Sequence, residues 1–452
     1  MKGLKWLGIV GGVILLLVLA SLGFRAMQER SIAGKLAKLR QMGRPTTMTE
    51  LNAWYAEVPA ESNAALGVLA AMEMFPSVLP DKLPIVGLGA VRAERFDAWS
   101  DEARSLARNH VTSNSTAYAA LAQALRLPAS RYPVTISSSA AIIHHLTQVQ
   151  AATRNLALAA HLAAEEGKSG EATAAVVNAF LGARTLEPEP IFVSGLIRNV
   201  CVGMAVSSSE RIVNRLELTD DQLARVQAQV ASVLSTNVFA KMLAGETVFG
   251  LDNFSAGPAR MAATANRVRS GTTASSAGST FAFTLYSWSG LKTADHECYF
   301  DAMIRMQDAA NEEFPQRLTT VSNIAYEVIG DANGFPFVKA MSRMVIPSLA
   351  RSFQKDVSNT AALRCALAAL AVERFRIAHD GKLPAALAEL VPQYLAAAPT
   401  DPFDGKPLRF RPLEKGFVVY SIGEDGDDDG GRPRKSGQKV ARDYDVTFRI
   451  ER

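Results

Sequence analysis

The sequence predicts a mostly α-helical protein with a single N-terminal transmembrane helix, a large helical body and a small C-terminal α+β domain. Three observations predict it. Ala and Leu dominate a chain that is 48% hydrophobic but only 7% aromatic, a composition that favours helices over strands. Trp6–Phe24 is a run of 19 residues without a charge. Alternation of apolar and polar residues is confined to the stretch between Leu408 and Ile450.

The N-terminal run, centred on Ile14-Leu15-Leu16-Leu17-Val18-Leu19, spans about 28 Å as a helix, close to the hydrocarbon thickness of a bilayer. Lys2 and Lys5 precede it, and Trp6 suits the interface. It reads as a signal anchor over residues 1–24, with the bilayer as the partner of residues 6–24. A cleaved signal peptide, with Ala20-Ser21 as the small residues, and a buried core helix are the alternatives. Arg25, Arg30, Lys35, Lys38, Arg40 and Arg44 follow the run, and taken alone they favour a cytoplasmic body. The short basic tail before the run is easily retained inside, and the expectation is a bacterial inner-membrane protein with a periplasmic body.

The body is expected over 25–358. Residues 25–45 predict a juxtamembrane helix ending at Gly43-Arg44-Pro45. Thr47-Met48-Thr49-Glu50 fits a capping box that opens a helix through Trp54, and Asn63–Phe75 reads as another apolar helix. Ala140–Leu186 predicts a helical hairpin broken at Gly167, with Ser169 capping the second arm. A helix follows from about Ile191 to Leu216, and Thr219-Asp220-Asp221-Gln222 is a second capping box. The polar, low-complexity run Gly271–Thr280 predicts a flexible linker near 270–280. Tyr299, Met303, Met306 and Ala310 recur at helical spacing and read as a core stripe.

The tail is expected over 359–452. Its helix begins near Asn359, presents Leu363, Leu367, Leu370, Phe375 and Ala378 on one face, and ends at His379-Asp380-Gly381. Strands with one buried face follow around Phe410, at Phe417–Tyr420 and at Val446–Ile450. Between the last two, Glu424, Asp425, Asp427, Asp428 and Asp429 place five carboxylates within six positions. Such a cluster is either solvated or holds a hard cation, and calcium takes six to eight oxygens in flexible geometry. The plain alternative is an acidic turn answered by Arg432, Arg434, Lys435, Lys439 and Arg442.

The order of these parts resembles the soluble domain of the major pseudopilins of type II secretion systems. The residues that carry the likeness are a helix, Asp401-Pro402-Phe403-Asp404-Gly405-Lys406-Pro407, Tyr420-Ser421-Ile422-Gly423-Glu424-Asp425-Gly426, and Asp443-Tyr444-Asp445-Val446. It covers residues 361–448. The resemblance implies a Ca²⁺ site with Ser421, Asp425, Asp443 and Asp445 among its ligands. It does not imply assembly into a pseudopilus, because Gly23-Phe24 lies at the far end of the apolar run rather than before it.

A net charge of +4 gives no support to nucleic acid as a partner. Cys201, Cys298 and Cys365 form neither a disulfide framework nor a zinc pattern. Asp295-His296-Glu297-Cys298 offers four ligand types in a row, but consecutive residues on a helix cannot all face one metal. His144-His145 and His161 with Glu165 read as polar groups of helices. No phosphate loop, dinucleotide fingerprint or nucleophile elbow is present. The expectation is therefore a membrane-anchored envelope protein, a non-enzymatic interaction or scaffold protein linked to secretion or envelope assembly, with an unidentified protein partner. The alternative is a membrane-anchored enzyme with its site in the helical body.

Overall fold

The computed structural model describes the chain apart from residues 1, 77–81, 85–96, 138–142, 271–276, 331–338, 434–443 and 452. In the helices, the side chains of 2–11, 13–18, 20, 21, 25 and 267–270 also lie outside the description. The described chain opens with α1 (Lys2–Gln41), α2 (Met48–Trp54), α3 (Ala64–Glu73), α4 (Asp101–Ser113) and α5 (Ser115–Ala124). Next come α6 (His145–Glu165), α7 (Ser169–Arg184), α8 (Phe192–Arg215) and α9 (Asp220–Leu234). The helical part ends with α10 (Val238–Ser255), α11 (Pro258–Ser270), α12 (Ala277–Trp288), α13 (Leu291–Ala309), α14 (Gln316–Ile329) and α15 (Ala340–Ala378). Three strands close the chain: β1 (Arg409–Pro412), β2 (Phe417–Ser421) and β3 (Val446–Ile450), in the antiparallel order β1-β2-β3. The mostly helical architecture and the small C-terminal sheet are as the composition predicts.

Several local signals act as expected. Thr219 and Gln222 make both bonds of a capping box at the start of α9. Thr47 accepts the Glu50 amide at the start of α2, but the Glu50 carboxylate reaches one residue further back, to the Thr46 amide and hydroxyl. Ser169 does not cap α7: it is the first helical residue after Lys168, and its hydroxyl accepts a bond from Gln222 of α9. The juxtamembrane helix is not separate from the apolar run; both belong to α1, which stops where Gly43 turns to a φ of 69°.

Two helical groups form two cores. In the larger core α6, α7 and α8 pack on one another, α7 packs on α9, and α8 and α9 pack on the second half of α15. In the other, α13 and α14 pack on the first half of α15, α10 and α12 pack on α13, and Phe239 of α10 meets Phe353 of α15. α10 runs so close to the carbonyl of Pro190 that Gly245 leaves no room there for a Cβ. Among the described residues, α8 is the one helix long and apolar enough to cross a membrane, with mean hydropathy 1.2, and most of it is buried in the protein. It also carries the buried, paired Arg198, Asn199, Glu210 and Arg211. That makes it a core helix, in which charges are admitted only with partners.

Three expectations are corrected. The helix expected from Asn359 begins at Ala340, so the expected boundary between body and tail falls inside α15. Pro347 removes one hydrogen-bond donor from this helix. The apolar face of Ile346, Leu349, Ala350, Phe353 and Val357 nevertheless buries the turns on both sides of it. The linker expected near 270–280 is helical from Ala277 onward, because Phe283 and Tyr286 bury against the second core; residues 271–276 lie outside the described residues. β2 is buried on both faces, not one. Its Phe417 and Val419 face the core shared with α15, while Val418 and Tyr420 lie under Gly431 of the acidic loop.

Candidate functional site

The candidate site is the loop system at the ends of β1, β2 and β3, and its keystone is Asp401. The turn Asp401–Lys406 closes on itself: the Asp401 amide donates to the Lys406 carbonyl at 2.7 Å and the Gly405 amide to the Asp401 carbonyl at 2.9 Å. Gly405 occupies a φ of 73°, which a side chain would strain. The turn places the Asp401 carboxylate inside the protein with no exposure. Oδ1 accepts the Ser421 hydroxyl at 2.8 Å and the Phe403 amide at 3.0 Å. Oδ2 accepts the Ile422 amide at 2.9 Å and the Arg409 guanidinium at 2.7 Å. Arg409 also binds Asp404 at 2.6 Å. Desolvation raises the Asp404 carboxyl, but the Arg409 guanidinium and the Lys406 amide together hold it below its usual range. A buried carboxylate needs this degree of satisfaction, since its desolvation is compensated only by charge-assisted bonds.

The acidic loop is built on left-handed glycines: Gly423, Gly426, Gly430 and Gly431 all have φ between 68° and 78°. Side chains bind the loop to itself. The Gly430 amide donates to Asp428 at 3.0 Å and the Asp427 amide to Asp425 at 3.4 Å. Asp445, just before β3, holds the far side. Its two carboxylate oxygens accept the Gly431 amide at 2.6 Å and the Asp429 amide at 3.4 Å, and its own amide donates to the Arg432 carbonyl at 2.9 Å. Burial pushes the Asp445 carboxyl up; the two amides oppose the shift, and Asp428 and Asp429 add to it. The Arg411 guanidinium covers the Gly430 carbonyl at 2.5 Å, and Arg409 stands 3.7 Å from Asp428.

Of the four residues expected to hold calcium, the described structure does not gather three. The Ser421 hydroxyl donates to Asp401 at 2.8 Å and accepts the Gly423 amide at 3.4 Å, so it serves the turn at the root of the loop rather than its carboxylates. Asp425 is half-exposed and bonds within the loop. Asp445 stands at the loop, but the carboxylates that bear on it are those of Asp428 and Asp429. Asp443 lies outside the described residues. Among the described residues no three acidic, His or Cys side chains are grouped to hold a metal ion. One feature fits a cation all the same: Oδ2 of Asp429 is buried and accepts no hydrogen bond, a state that is costly for an ionised oxygen.

No protein-family model matches this chain, no curated protein matches it, and no solved structure matches it.

In the helical body the buried polar groups are mostly closed upon one another. His145 meets Glu189 at 2.9 Å, and Glu189 accepts the Ser194 hydroxyl at 2.5 Å, all three buried. Ser194 faces the carboxylate rather than the imidazole, so the trio is not a nucleophile with its base. His161 meets Ser208 at 3.1 Å; burial and then Arg211 push its imidazole down to about 3, and Ser208 is enclosed. Burial alone pushes the Glu246 carboxyl up to about 7. Asp295 lies inside α13, not at its start. It accepts the Tyr286 hydroxyl at 2.6 Å and the first amides of α15, Met341 and Ser342, at 2.7 and 3.1 Å. It thereby ties α12 and α13 to the positive end of α15. Its neighbour His296 is different. It stacks on Phe254 at 4.7 Å, its Nε2 is buried without a hydrogen bond, and burial followed by Lys292 pushes its imidazole down to about 4. It lines a cleft of 410 Å³ between α1 and α13.

Asp401 was passed over in the sequence because a turn signal such as Asp-Pro-x-Asp-Gly gives no hint that its carboxylate is buried. The prediction is that Asp401→Ala destabilises the protein by about 2–4 kcal/mol, the cost of leaving the Phe403 and Ile422 amides and the Ser421 hydroxyl without their acceptor, while Arg409 keeps its pairing with Asp404. Asp427→Ala, on an exposed side chain, stays within about 0.5 kcal/mol of the parent. Chemical denaturation of the two variants checks it.

Proposed function

We propose that this protein is a membrane-anchored envelope protein that spans the inner membrane once through residues 6–24, carries its body on the periplasmic side and serves as a non-enzymatic interaction or scaffold protein. A role in secretion or envelope assembly is in keeping with the resemblance of its tail. The observation that carries the reading is the course of α1. One helix continues from the uncharged run into a half that is fastened to the body. Leu36 and Leu39 pack with Leu251, Phe300 and Ile304. Glu297 of α13 accepts Ser31 at 2.6 Å and Lys35 at 3.3 Å, and Lys35 reaches Asp301 at 2.7 Å. Arg44 bonds Gln307 at 3.0 Å. A scaffold needs such a joint, since it holds the body at a set distance and angle from the bilayer.

The tail acts, on this reading, as a calcium-stabilised docking module. Asp429 and Asp445, with Asp443, would hold the ion, which supplies charge neutralisation to a loop rich in carboxylates. A second reading, a membrane-anchored enzyme, is favoured by His296, a desolvated imidazole lining a cleft. A His296→Ala variant separates the two readings, because it abolishes the cellular phenotype only if the cleft is catalytic.

The full-length protein is expected to sediment with membranes, to resist carbonate extraction and to keep its first 24 residues. Protease added to spheroplasts is expected to digest the body. A carbonate-soluble product that starts after residue 20 would overturn the anchor, and full protection of the body would reverse its orientation.

Calcium at a hundredfold excess over its dissociation constant is expected to stabilise the folded protein by about 2.7 kcal/mol. The melting temperature should therefore be higher in millimolar calcium than in chelator, and Asp443→Ala should remove the difference. Identical melting curves would reduce the loop to a solvated acidic turn.

A further inference from the structure

We propose that α12 is a second membrane contact, an interfacial helix that lays Phe281, Leu285 and Trp288 into the surface of an anionic bilayer beside the α1 span. The inference rests on the reading of residues 6–24 as that span. The helix has two faces. Phe283 and Tyr286 pack inward on the second core, and the Tyr286 hydroxyl is held by Asp295. Phe281, Leu285 and Trp288, at positions i, i+4 and i+7, form one stripe. They are 65%, 55% and 83% exposed. Three large apolar residues in line on the surface of a soluble protein call for an occupant.

Two observations make that occupant a lipid surface. The first is place. Glu29, Ile32 and Ala33 of α1 line the 410 Å³ cleft together with Ser287, Lys292 and Thr293. The end of α12 therefore stands beside Glu29, about 7.5 Å along the helix axis from Phe24, where the uncharged run ends. Phe24 and Met27 of α1 are exposed at the same level. A bilayer crossed by residues 6–24 has its headgroup layer there, and Trp is the residue best suited to that layer. The second is charge. Between Asp252 and Asp295 the chain has no acidic residue, while Arg260, Arg267, Arg269 and Lys292 fall within that stretch. α11, which holds the three arginines, packs directly on α12. Arg260 is paired with Asp252 and Glu29 stands in the cleft; Arg267, Arg269 and Lys292 leave the surroundings of this aromatic helix net cationic, which matches the chemistry of an anionic membrane surface.

The full-length protein, reconstituted into vesicles of mixed zwitterionic and anionic phospholipids, tests this through quenching of Trp fluorescence by brominated acyl chains. Removing a membrane-embedded Trp lowers the quenchable share of the emission. Trp288→Phe is expected to lower it about as much as Trp6→Phe, and Trp54→Phe to leave it unchanged. If Trp6→Phe lowers it and Trp288→Phe does not, the inference fails while the anchor stands. If neither lowers it, the anchor itself fails and α12 falls with it. Each variant is read alongside the circular dichroism of the parent, and a helical content equal to the parent's shows that a loss of quenching reports position rather than unfolding.

Discussion

Between Ala361 and Glu373, α15 is almost wholly enclosed: Leu363, Cys365, Ala366, Ala368, Ala369, Leu370, Ala371, Val372 and Glu373 are all buried. A helix surrounded in this way needs walls of protein on every side, and its many alanines let those walls come close. α8 and α9 form one wall, and β2 and β3 form another. The C-terminal sheet is therefore not an appended domain with its own core. Phe417, Val419, Phe448 and Ile450 share one core with Val213, Val226 and Leu370. Polar bonds follow the same lines. Arg449 of β3 donates its amide to Glu210, Asn214 bonds the carbonyl of Arg449 and the amide of Glu451, and Gln227 holds the Tyr394 carbonyl.

The other half of α15 performs the same service for α13 and α14 in the second core, and Asp295 fixes its first turn. α13 in turn receives α1. One mechanical path thus runs from the apolar run through α1, α13 and α15 to the sheet and its acidic loop. It consists of packed helices and paired charges.

The acidic loop and Asp401 show two ways of handling carboxylates at the edge of one sheet. Asp401 is buried and satisfied by four donors on three segments of chain. The loop keeps most of its carboxylates in solvent and buries one oxygen of Asp429 without a donor. The first arrangement builds structure. The second leaves one buried carboxylate oxygen without a donor, while Ser421, an expected calcium ligand, belongs to the first.

By itself the sequence determined what depends on neighbours in the chain. The helices around Leu51, Leu156, Val176 and Val226, the capping box at Thr219, the stop at Gly381 and the three strands are all set by local periodicity and capping chemistry. Tertiary structure decided what depends on distant partners. The helix reads locally as beginning near Asn359, yet the second core carries α15 back through Pro347 to Ala340. Residues 277–280 read as linker, yet Phe283 and Tyr286 have a core to enter. β2 reads as one-sided, yet the acidic loop folds back over Val418 and Tyr420. The site divides in the same way: a cluster of five acidic residues is visible in the sequence because it is contiguous, whereas the burial of Asp401 depends on Ser421, Ile422 and Arg409 converging from other segments, which no local pattern records.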